Sequence, residues 1–326
     1  MKKTSTVITF LLGVLINFHP LYAQSQTALS FDGVDDHVTI GNNLGFEYTD
    51  QFTIEAWIKT NGTGFHQIIS KVDASFKGWG LQMNNGHLSG YISSTWISNF
   101  SIVNGNYGTS GGTLINDGNW HHVAMVYDGS TNITLYIDGV LETPINSGNN
   151  LSASTISSGL TEVGCYDANG SPGEFWSGEI ENVSIYTTQK SQIEIQSDMN
   201  KCLSGSEIDL LAYYNFNDGA NSPTLSDLTS NNYDGNLINM NPSNDWVTGI
   251  DNSVVGTDTR SECDSLVWID GNTYYANNST ATFNISNGAL NGCDSLVTLN
   301  LSILPSANGT DTRTECDSLA WIDGNI

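Results

Sequence analysis

Two glutamates separated by one residue, Glu179 and Glu181, have the spacing that acid–base chemistry on a strand requires. In an extended strand, residues i and i+2 share a face and lie about 7 Å apart. That separation is compatible with hydrolysis by a pair of carboxylates. Strict alternation, however, places Glu181 on the same face as Val183 and Ile185, which is the apolar side. The pattern therefore favours a structural role for Glu181 unless a bulge changes the face on which it lies.

A second group of acids, Asp32, Asp35 and Asp36, is crowded into one polar turn. Carboxylate oxygens in such turns are the ligands that Ca²⁺ prefers. The alternative is that Asp32 and Gly33 simply form a turn, with the other two carboxylates solvated. Calcium at these aspartates is the only cofactor that we predict.

Adjacent histidines, His121 and His122, suggest a metal site at first sight. Neighbouring residues on a strand point to opposite faces, so the two rings cannot bind one ion together. We expect one ring to pack or form a hydrogen bond inside and the other to face outward.

Aromatic side chains in or beside turns are candidates for stacking against sugar rings. The candidate ligand-binding residues are Trp79, Tyr91, Trp96, Tyr107 and Trp176. Packing in the core is an equally good interpretation of each.

The chain is strongly acidic, with 34 Asp and Glu against 9 Lys and Arg. Proteins that bind nucleic acid need clustered Lys and Arg to displace counterions from phosphates. The composition therefore argues against nucleic acid as a partner and leaves neutral glycans, cations and cell-surface material.

Residues 1–23 have the pattern of a secretory signal peptide. Lys2 and Lys3 precede the ten-residue apolar run Val7–Ile16, and Ala23 ends a cleavage site. Ten apolar residues are too few to span a bilayer. We therefore predict a mature chain without a membrane span, secreted or held at the cell surface.

The C-terminal part contains a tandem repeat with a period of 53 residues, in which 256–273 recur at 309–326 with 15 of 18 positions identical. We place the first repeat at 251–305 and the truncated start of a second at 306–326.

Two cysteines of the first repeat, Cys263 and Cys293, each begin the sequence Cys-Asp-Ser-Leu, which predicts a disulfide between them. Such a bond would contribute roughly 3–4 kcal/mol in the chain-entropy model. Cys316 is the counterpart of Cys263, and its partner is expected beyond Ile326.

Short alternating segments separated by polar turns fill residues 24–250. The segment Phe52–Ile58 places its even-numbered residues on one face, and Asn84–Gly86 is a hairpin signal. Ser191 and Glu194 form a capping box at the start of one helix. Many short strands with a single helix predict an all-β, antiparallel two-sheet sandwich, followed by small β-rich repeats.

One hairpin, Trp120–Gly139, resembles the W-H-H-V-A…Y-D-G…L-Y-I-D-G hairpin of laminin-G-like, concanavalin-A-like jelly-roll domains. Further matching segments follow the family's order: Leu29–Val38, Phe52–Ile58, Gly178–Tyr186, Ser191–Glu194 and Leu211–Gly219. Together they cover about two thirds of the chain. The resemblance implies a jelly-roll fold and recognition of sugars or proteins outside cells.

The same resemblance implies three details of the site. Disulfide-bearing members suggest a bond between Cys165 and Cys202. The first strands of the family lie beside its last long strand, which would bring Glu181 towards Asp36 as a further metal ligand. Glucanases with this sandwich resemble E-x-D-x-E or E-x-D-x-x-E, and here Val183 or Ser184 stands at the third position.

These observations predict a secreted, non-catalytic recognition protein that binds an extracellular glycan or a surface protein. Surface proteins of the Bacteroidetes type carry similar stalk repeats. The alternatives are an accessory or catalytic part of a polysaccharide-degrading glycoside hydrolase, with Glu179 and Glu181 as catalytic residues, and a structural spacer.

Overall fold

The structure, a computed structural model, describes residues 26–95, 99–104, 113–130, 132–142, 146–168, 170–250, 253–286, 288–289 and 292–305. The predicted signal peptide and the second repeat lie outside these residues. The chain divides into two units, Met1–Asn252 and Ser253–Ile326. Within the described ranges, no helix combines the length and the apolarity that crossing a bilayer requires.

The first unit is built from short strands and one helix. In chain order its elements are β1 (Thr27–Asp32), β2 (His37–Gly41), β3 (Gln51–Lys59), β4 (Phe65–Val72), β5 (Gly78–Asn84), β6 (His87–Thr95), β7 (Asn99–Asn104), β8 (Trp120–Asp128), β9 (Ile133–Ile137), β10 (Val140–Leu141), β11 (Asn146–Asn149), β12 (Thr161–Val163), β13 (Tyr166–Asp167), β14 (Pro172–Gly173), β15 (Ser177–Tyr186), α1 (Gln192–Asp198), β16 (Leu210–Tyr214), β17 (Thr224–Leu225), β18 (Gly235–Ile238) and β19 (Trp246–Thr248).

These strands form two large antiparallel sheets. The first has the order β10-β9-β8-β3-β15-β1-β19, with β16 also paired to β15. The second has the order β11-β7-β6-β5-β4-β12-β2-β18-β17, and β13 and β14 form a separate ribbon. One apolar core contains residues from both sheets. The predicted all-β, antiparallel sandwich with one short helix is confirmed.

Alternation in β3 shows how the sequence produces this core. Phe52, Ile54, Ala56 and Ile58 are fully buried in it. On the opposite face, the Thr53 hydroxyl donates to the Thr188 carbonyl, in the segment that leads to α1, at 2.8 Å. The helix begins at the predicted capping box, since both reciprocal hydrogen bonds between Ser191 and Glu194 are present.

The hairpin predicted at Asn84–Gly86 is present between β5 and β6. Asn84 pairs with His87, while Asn85 and Gly86 have φ values of 49° and 84°. Two positive φ angles are the signature of a type I′ turn, whose twist matches that of the strands. The Asp32-Gly33 turn differs, because β1 and β2 belong to different sheets. This turn therefore crosses from one layer of the sandwich to the other.

The second unit contains β20 (Val254–Cys263), β21 (Leu266–Val267), β22 (Thr273–Tyr274), β23 (Thr282–Ile285) and β24 (Ser295–Leu304). Strand β24 contains the alternating segment Val297–Ile303. Strand β20 pairs with β24 in parallel over ten residues, and β23 pairs with β24 antiparallel. Trp268, Leu299 and Leu301 form the small core of this unit.

Candidate functional site

The two glutamates of β15 lie in different environments. Glu179 lies opposite Lys59 of the neighbouring strand β3, and the Lys59 Nζ is 3.2 Å from Glu179 Oε1. Glu181 is completely buried, and its Oε2 accepts a hydrogen bond of 2.6 Å from the Ile250 backbone N–H. Burial is the main cause that raises the pKa of Glu181 to about 8. Glu181 is therefore closed off from any substrate.

A bulge explains why Glu181 is not on the predicted face. Asn182 has a φ of 52°, and the register of β15 against β3 shifts between Glu181 and Ser184. The extra residue lets both Ile180 and Val183 enter the core between the sheets. The prediction that Glu181 shares the face of Val183 is wrong for this reason.

The acidic turn brings three carboxylates together. One oxygen from each of Asp32, Asp35 and Asp36 lies within 4.8 Å of the others. Some of these oxygens already accept backbone hydrogen bonds, from Val34 N to Asp32 Oδ1 at 2.7 Å and from Asp32 N to Asp36 Oδ2 at 3.0 Å. Asp36 is 6% exposed, and burial raises its pKa to about 6. The turn has oxygen ligands suitable for a hard cation.

Glu181 does not join the acidic turn. In the register of β1 and β15, Asp32 pairs with Ser177. Glu181 lies four residues further along β15, which corresponds to roughly 13 Å. The strands are neighbours as the resemblance implies, but their register separates the predicted metal ligands.

The described aromatic candidates are buried. Trp79 and Trp176 have no exposed surface and Tyr91 is 1% exposed. Alternation along β5 directs Trp79 into the core, where its Nε1 donates to the Leu44 carbonyl at 2.9 Å. The Tyr91 ring covers Gly80, where an added Cβ would lie 2.6 Å from the ring. These three residues cannot offer a free face to a sugar, and the prediction that they do is wrong; Trp96 and Tyr107 lie outside the described residues.

A polar cleft of about 640 Å³ lies where β3 begins and where β8 and β15 end. Its exposed lining residues include Thr49, Asp50, Gln51 and Thr187. Gln51 Nε2 donates to the Asp128 carbonyl at 3.3 Å. Hydroxyl and amide groups of this kind can exchange hydrogen bonds with a polyol. No sequence pattern pointed to this cleft, because its lining comes from segments far apart in the chain.

The two histidines of β8 contact different partners, as alternation predicts. His121 Nδ1 lies 2.9 Å from Asp138 Oδ2, and this hydrogen bond raises the pKa of His121. His122 is 3% exposed, and its Nε2 lies 3.2 Å from Glu55 Oε2. The histidines therefore do not share an ion.

The cysteines differ from the predicted pairs. Cys165 and Cys263 are free thiols, whereas Cys202 and Cys293 are disulfide-bonded. Because Cys165 is a free thiol, the bond between Cys165 and Cys202 that the resemblance implies is absent.

The parallel pairing of β20 and β24 excludes the other predicted bond. Cys263 pairs with Leu304, whereas Val254 pairs with Ser295, two residues after Cys293. Cys263 and Cys293 therefore lie at opposite ends of the pair, roughly 30 Å apart. A disulfide requires Cα atoms within about 7 Å.

A further group of side chains that could bind a metal ion was not indicated by any sequence pattern. His37, Glu162 and Cys165 are buried and each contributes one ligand atom within 4.8 Å of the others. More than a hundred residues separate His37 from the other two, so only the pairing of β2 with β12 brings them together.

Comparison with known proteins gives the family. The model of the concanavalin A-like lectin/glucanases superfamily matches residues 32–196, just over half of the chain. The chain belongs to this superfamily. No curated protein sequence matches it significantly.

Solved structures with similar folds share little sequence with the chain. One is a putative carbohydrate binding protein from Bacteroides ovatus, with 13% identity, a TM-score of 0.45 and coverage of 65% of this chain and 58% of that one. CBM40 of the Ruminococcus gnavus IT-sialidase, bound to α2,3 sialyllactose, has 14% identity, a TM-score of 0.38 and coverage of 53% and 98%. Domains LG4-5 of the mouse laminin α1 chain have 14% identity, a TM-score of 0.38 and coverage of 57% and 48%. The match thus spans less than two thirds of the Bacteroides protein.

Proposed function

We propose that this chain is a secreted, non-catalytic recognition protein whose residues 24–250 bind carbohydrate or another extracellular surface ligand. The superfamily includes lectins and glucanases, so the choice between ligand binding and hydrolysis depends on the two carboxylates of β15, Glu179 and Glu181. A two-carboxylate hydrolase needs both groups in contact with substrate. The observation that carries the proposal is the complete burial of Glu181 beneath the Ile250 backbone, which favours the lectin interpretation.

The polar cleft is the proposed ligand site. Its volume falls within the range of about 300–1,000 Å³ that is usual for small-molecule sites. Thr49, Gln51 and Thr187 supply neutral hydrogen-bonding groups, and Asp50 supplies a carboxylate acceptor. This set suits the neighbouring hydroxyl groups of a neutral sugar better than an anionic ligand.

Binding of the whole chain to a glycan array, followed by calorimetry with the best glycan, tests the proposal. Gln51→Ala should weaken binding several-fold, because one hydrogen bond contributes about 0.5–1.5 kcal/mol. Gln192→Ala is the matched control, since its amide also donates to a backbone carbonyl, that of Gly139 at 2.9 Å, on the helix. Equal affinity in both variants would reject the cleft as the site. Absence of binding to any glycan or cell surface would favour the alternative that the chain is a structural spacer.

Hydrolysis is the competing function. Activity on β-glucans that disappears in Glu181→Gln, while the variant remains folded, would overturn the proposal and assign the chain to a polysaccharide-degrading enzyme. Activity that persists in Glu181→Gln and Glu179→Gln would come from other residues and would equally contradict a non-catalytic role.

Calcium binding at the acidic turn is a second proposal, favoured by the proximity of the three carboxylates. A bound cation should lower the pKa of Asp36, because an opposite charge stabilises the ionised form. Calcium should raise the melting temperature of the wild-type chain, and Asp35→Asn should reduce that rise. Identical melting curves with calcium and with chelator would reject the site.

Export is supported by the leader sequence and by the disulfide-bonded state of Cys202 and Cys293. We place the protein outside the cell or at its surface, with the repeats after residue 250 serving as a spacer of the kind found in Bacteroidetes surface proteins. N-terminal sequencing of exported protein should begin at Gln24. Recovery of the intact leader in a cytosolic fraction would contradict export.

A further inference from the structure

The cluster formed by His37, Glu162 and Cys165 lies on the outer face of the nine-stranded sheet. Val38 and Val163 point into the core, so their neighbours His37 and Glu162 point away from it. Strands β2 and β12 are paired, with Val163 opposite Val38. Cys165 follows β12 after one residue, Gly164, and its carbonyl accepts a hydrogen bond of 3.1 Å from the Ser70 hydroxyl. Backbone pairing therefore positions all three side chains.

The ligand atoms are close enough for one small ion. They lie within 4.8 Å of one another. Zinc–nitrogen and zinc–oxygen bonds of about 2.0–2.1 Å and a zinc–sulfur bond of about 2.3 Å give ligand separations of roughly 3.3–3.7 Å in a tetrahedron. An ion would thus draw the three atoms together by about 1 Å, a movement within reach of side-chain rotation.

Glu162 provides a separate indication that a ligand belongs here. It is 1% exposed, and its Oε2 has no hydrogen-bond partner in the described part of the chain. A buried polar atom without a partner typically destabilises the folded state by about 1–3 kcal/mol. A cation bound by this carboxylate would remove that penalty.

The backbone fixes the imidazole of His37. Its Nδ1 lies 2.8 Å from the Asp35 carbonyl oxygen. A carbonyl can only accept, so Nδ1 carries the proton and Nε2 keeps its lone pair. Ligating histidines are commonly fixed by such a bond to the other ring nitrogen. The Phe175 ring, with its centroid 6.0 Å from that of His37, covers the same imidazole.

Cys165 completes a nitrogen, oxygen and sulfur donor set. It is a free thiol with no exposed surface. Burial raises the pKa of both Cys165 and Glu162, the latter to about 8, and the negative charge of Asp167 acts in the same direction. A cation in the cluster would reverse both effects, because it favours the thiolate and the carboxylate.

We propose that His37, Glu162 and Cys165 form a binding site for one zinc-type divalent cation. A thiolate and an imidazole select zinc or cobalt over calcium, which prefers six to eight oxygen ligands. Binding replaces the thiol proton of Cys165 and the carboxyl proton of Glu162 with bonds to the metal, and both protons pass to solvent. Affinity should therefore increase as the pH rises through the neutral range. The ion would fasten β2 to the turn that follows β12.

Cobalt absorption tests the site directly. The whole chain, freed of metal with a chelator, is titrated with Co²⁺ in buffer free of thiols. We expect about one equivalent to bind and to produce a sulfur-to-cobalt charge-transfer band, which Zn²⁺ then removes by displacement. Cys165→Ser should lose the band, and Glu162→Gln, which removes a ligand, should bind at least about tenfold more weakly, since the loss of a group that only supports a ligand already has an effect of that size.

Cys263→Ser is the matched control, because Cys263 is the other free thiol of the described residues and is exposed. It should keep the full cobalt band. The proposal is overturned if the wild-type chain gives no charge-transfer band, if Cys165→Ser retains the band, or if Cys263→Ser loses it. The wild-type spectrum decides the question even if a variant does not fold.

Discussion

Replacement of Glu181 by glutamine should change how stability depends on pH. The pKa of this carboxyl rises from 4.5 to about 8 on folding, mainly because of burial. An acid with a higher pKa in the folded state holds its proton more tightly there. Its contribution to stability is therefore complete below about pH 4.5 and is lost progressively as the pH rises through about 8.

The size of the effect follows from the same shift. At about 1.4 kcal/mol per pH unit, the loss across this window is on the order of 5 kcal/mol. Glutamine has nearly the same shape and cannot ionise, so Glu181→Gln should escape this loss. The free energy of unfolding of the variant should therefore exceed that of the wild type increasingly from pH 5 to pH 8.5.

Urea unfolding followed by tryptophan fluorescence at several pH values measures the difference between the two proteins. Other titrating groups, including Glu162, are common to both and cancel in that difference. Glu179→Gln is the control, because its partly exposed ion pair with Lys59 contributes about 0–1 kcal/mol. Parallel pH profiles for the wild type and Glu181→Gln would refute the argument that Glu181 is protonated in the folded protein at neutral pH.

Three further perturbations test the packing, the helix and a surface ion pair. Trp79→Ala should lower the free energy of unfolding by about 3–5 kcal/mol in chemical denaturation, because it empties a fully buried core position. Phe65→Ala is the control: its position is 46% exposed, so this change should lower the free energy of unfolding much less. Ser191→Ala should lower it by about 0.5–2 kcal/mol through loss of the capping box, and an unchanged value would show that the cap does not stabilise α1. The hydrogen bond to Asp138 raises the pKa of His121 on folding. The stabilisation of the folded state by this bond should therefore be present below about pH 6.5 and lost as the pH rises through the folded-state pKa. An NMR titration in which the midpoint of His121 is not raised would contradict this.

Much of the scaffold can be predicted from local pattern. The alternation of Phe52–Ile58, the type I′ turn at Asn85-Gly86 and the capping box at Ser191 depend on interactions between residues close in the chain or on a single buried face. Local rules of this kind need no knowledge of which strands become neighbours. These features consequently agree between the sequence and the structure.

The site residues could not be predicted in the same way. One inserted residue, Asn182, reverses the side on which Glu181 lies, and no local signal marks that bulge. Trp79 and Trp176 are next to turns in the sequence and are buried in space. The Cys263–Cys293 prediction assumed that neighbouring cysteines in a repeat meet, whereas the parallel pairing of β20 and β24 separates them.

The sequence by itself determined that this chain forms an antiparallel sandwich with a capped helix, because hydrophobic period and turn chemistry act over a few residues. Only the tertiary structure decided which polar groups meet. The register between β1 and β15 separates Glu181 from the acidic turn, and the pairing of β2 with β12 brings His37 to Glu162 and Cys165. The register between two paired strands is set by which of their residues are buried in the shared core, and this depends on the whole sheet face and not on a short segment. The arrangement of these polar groups therefore depends on contacts between segments more than a hundred residues apart.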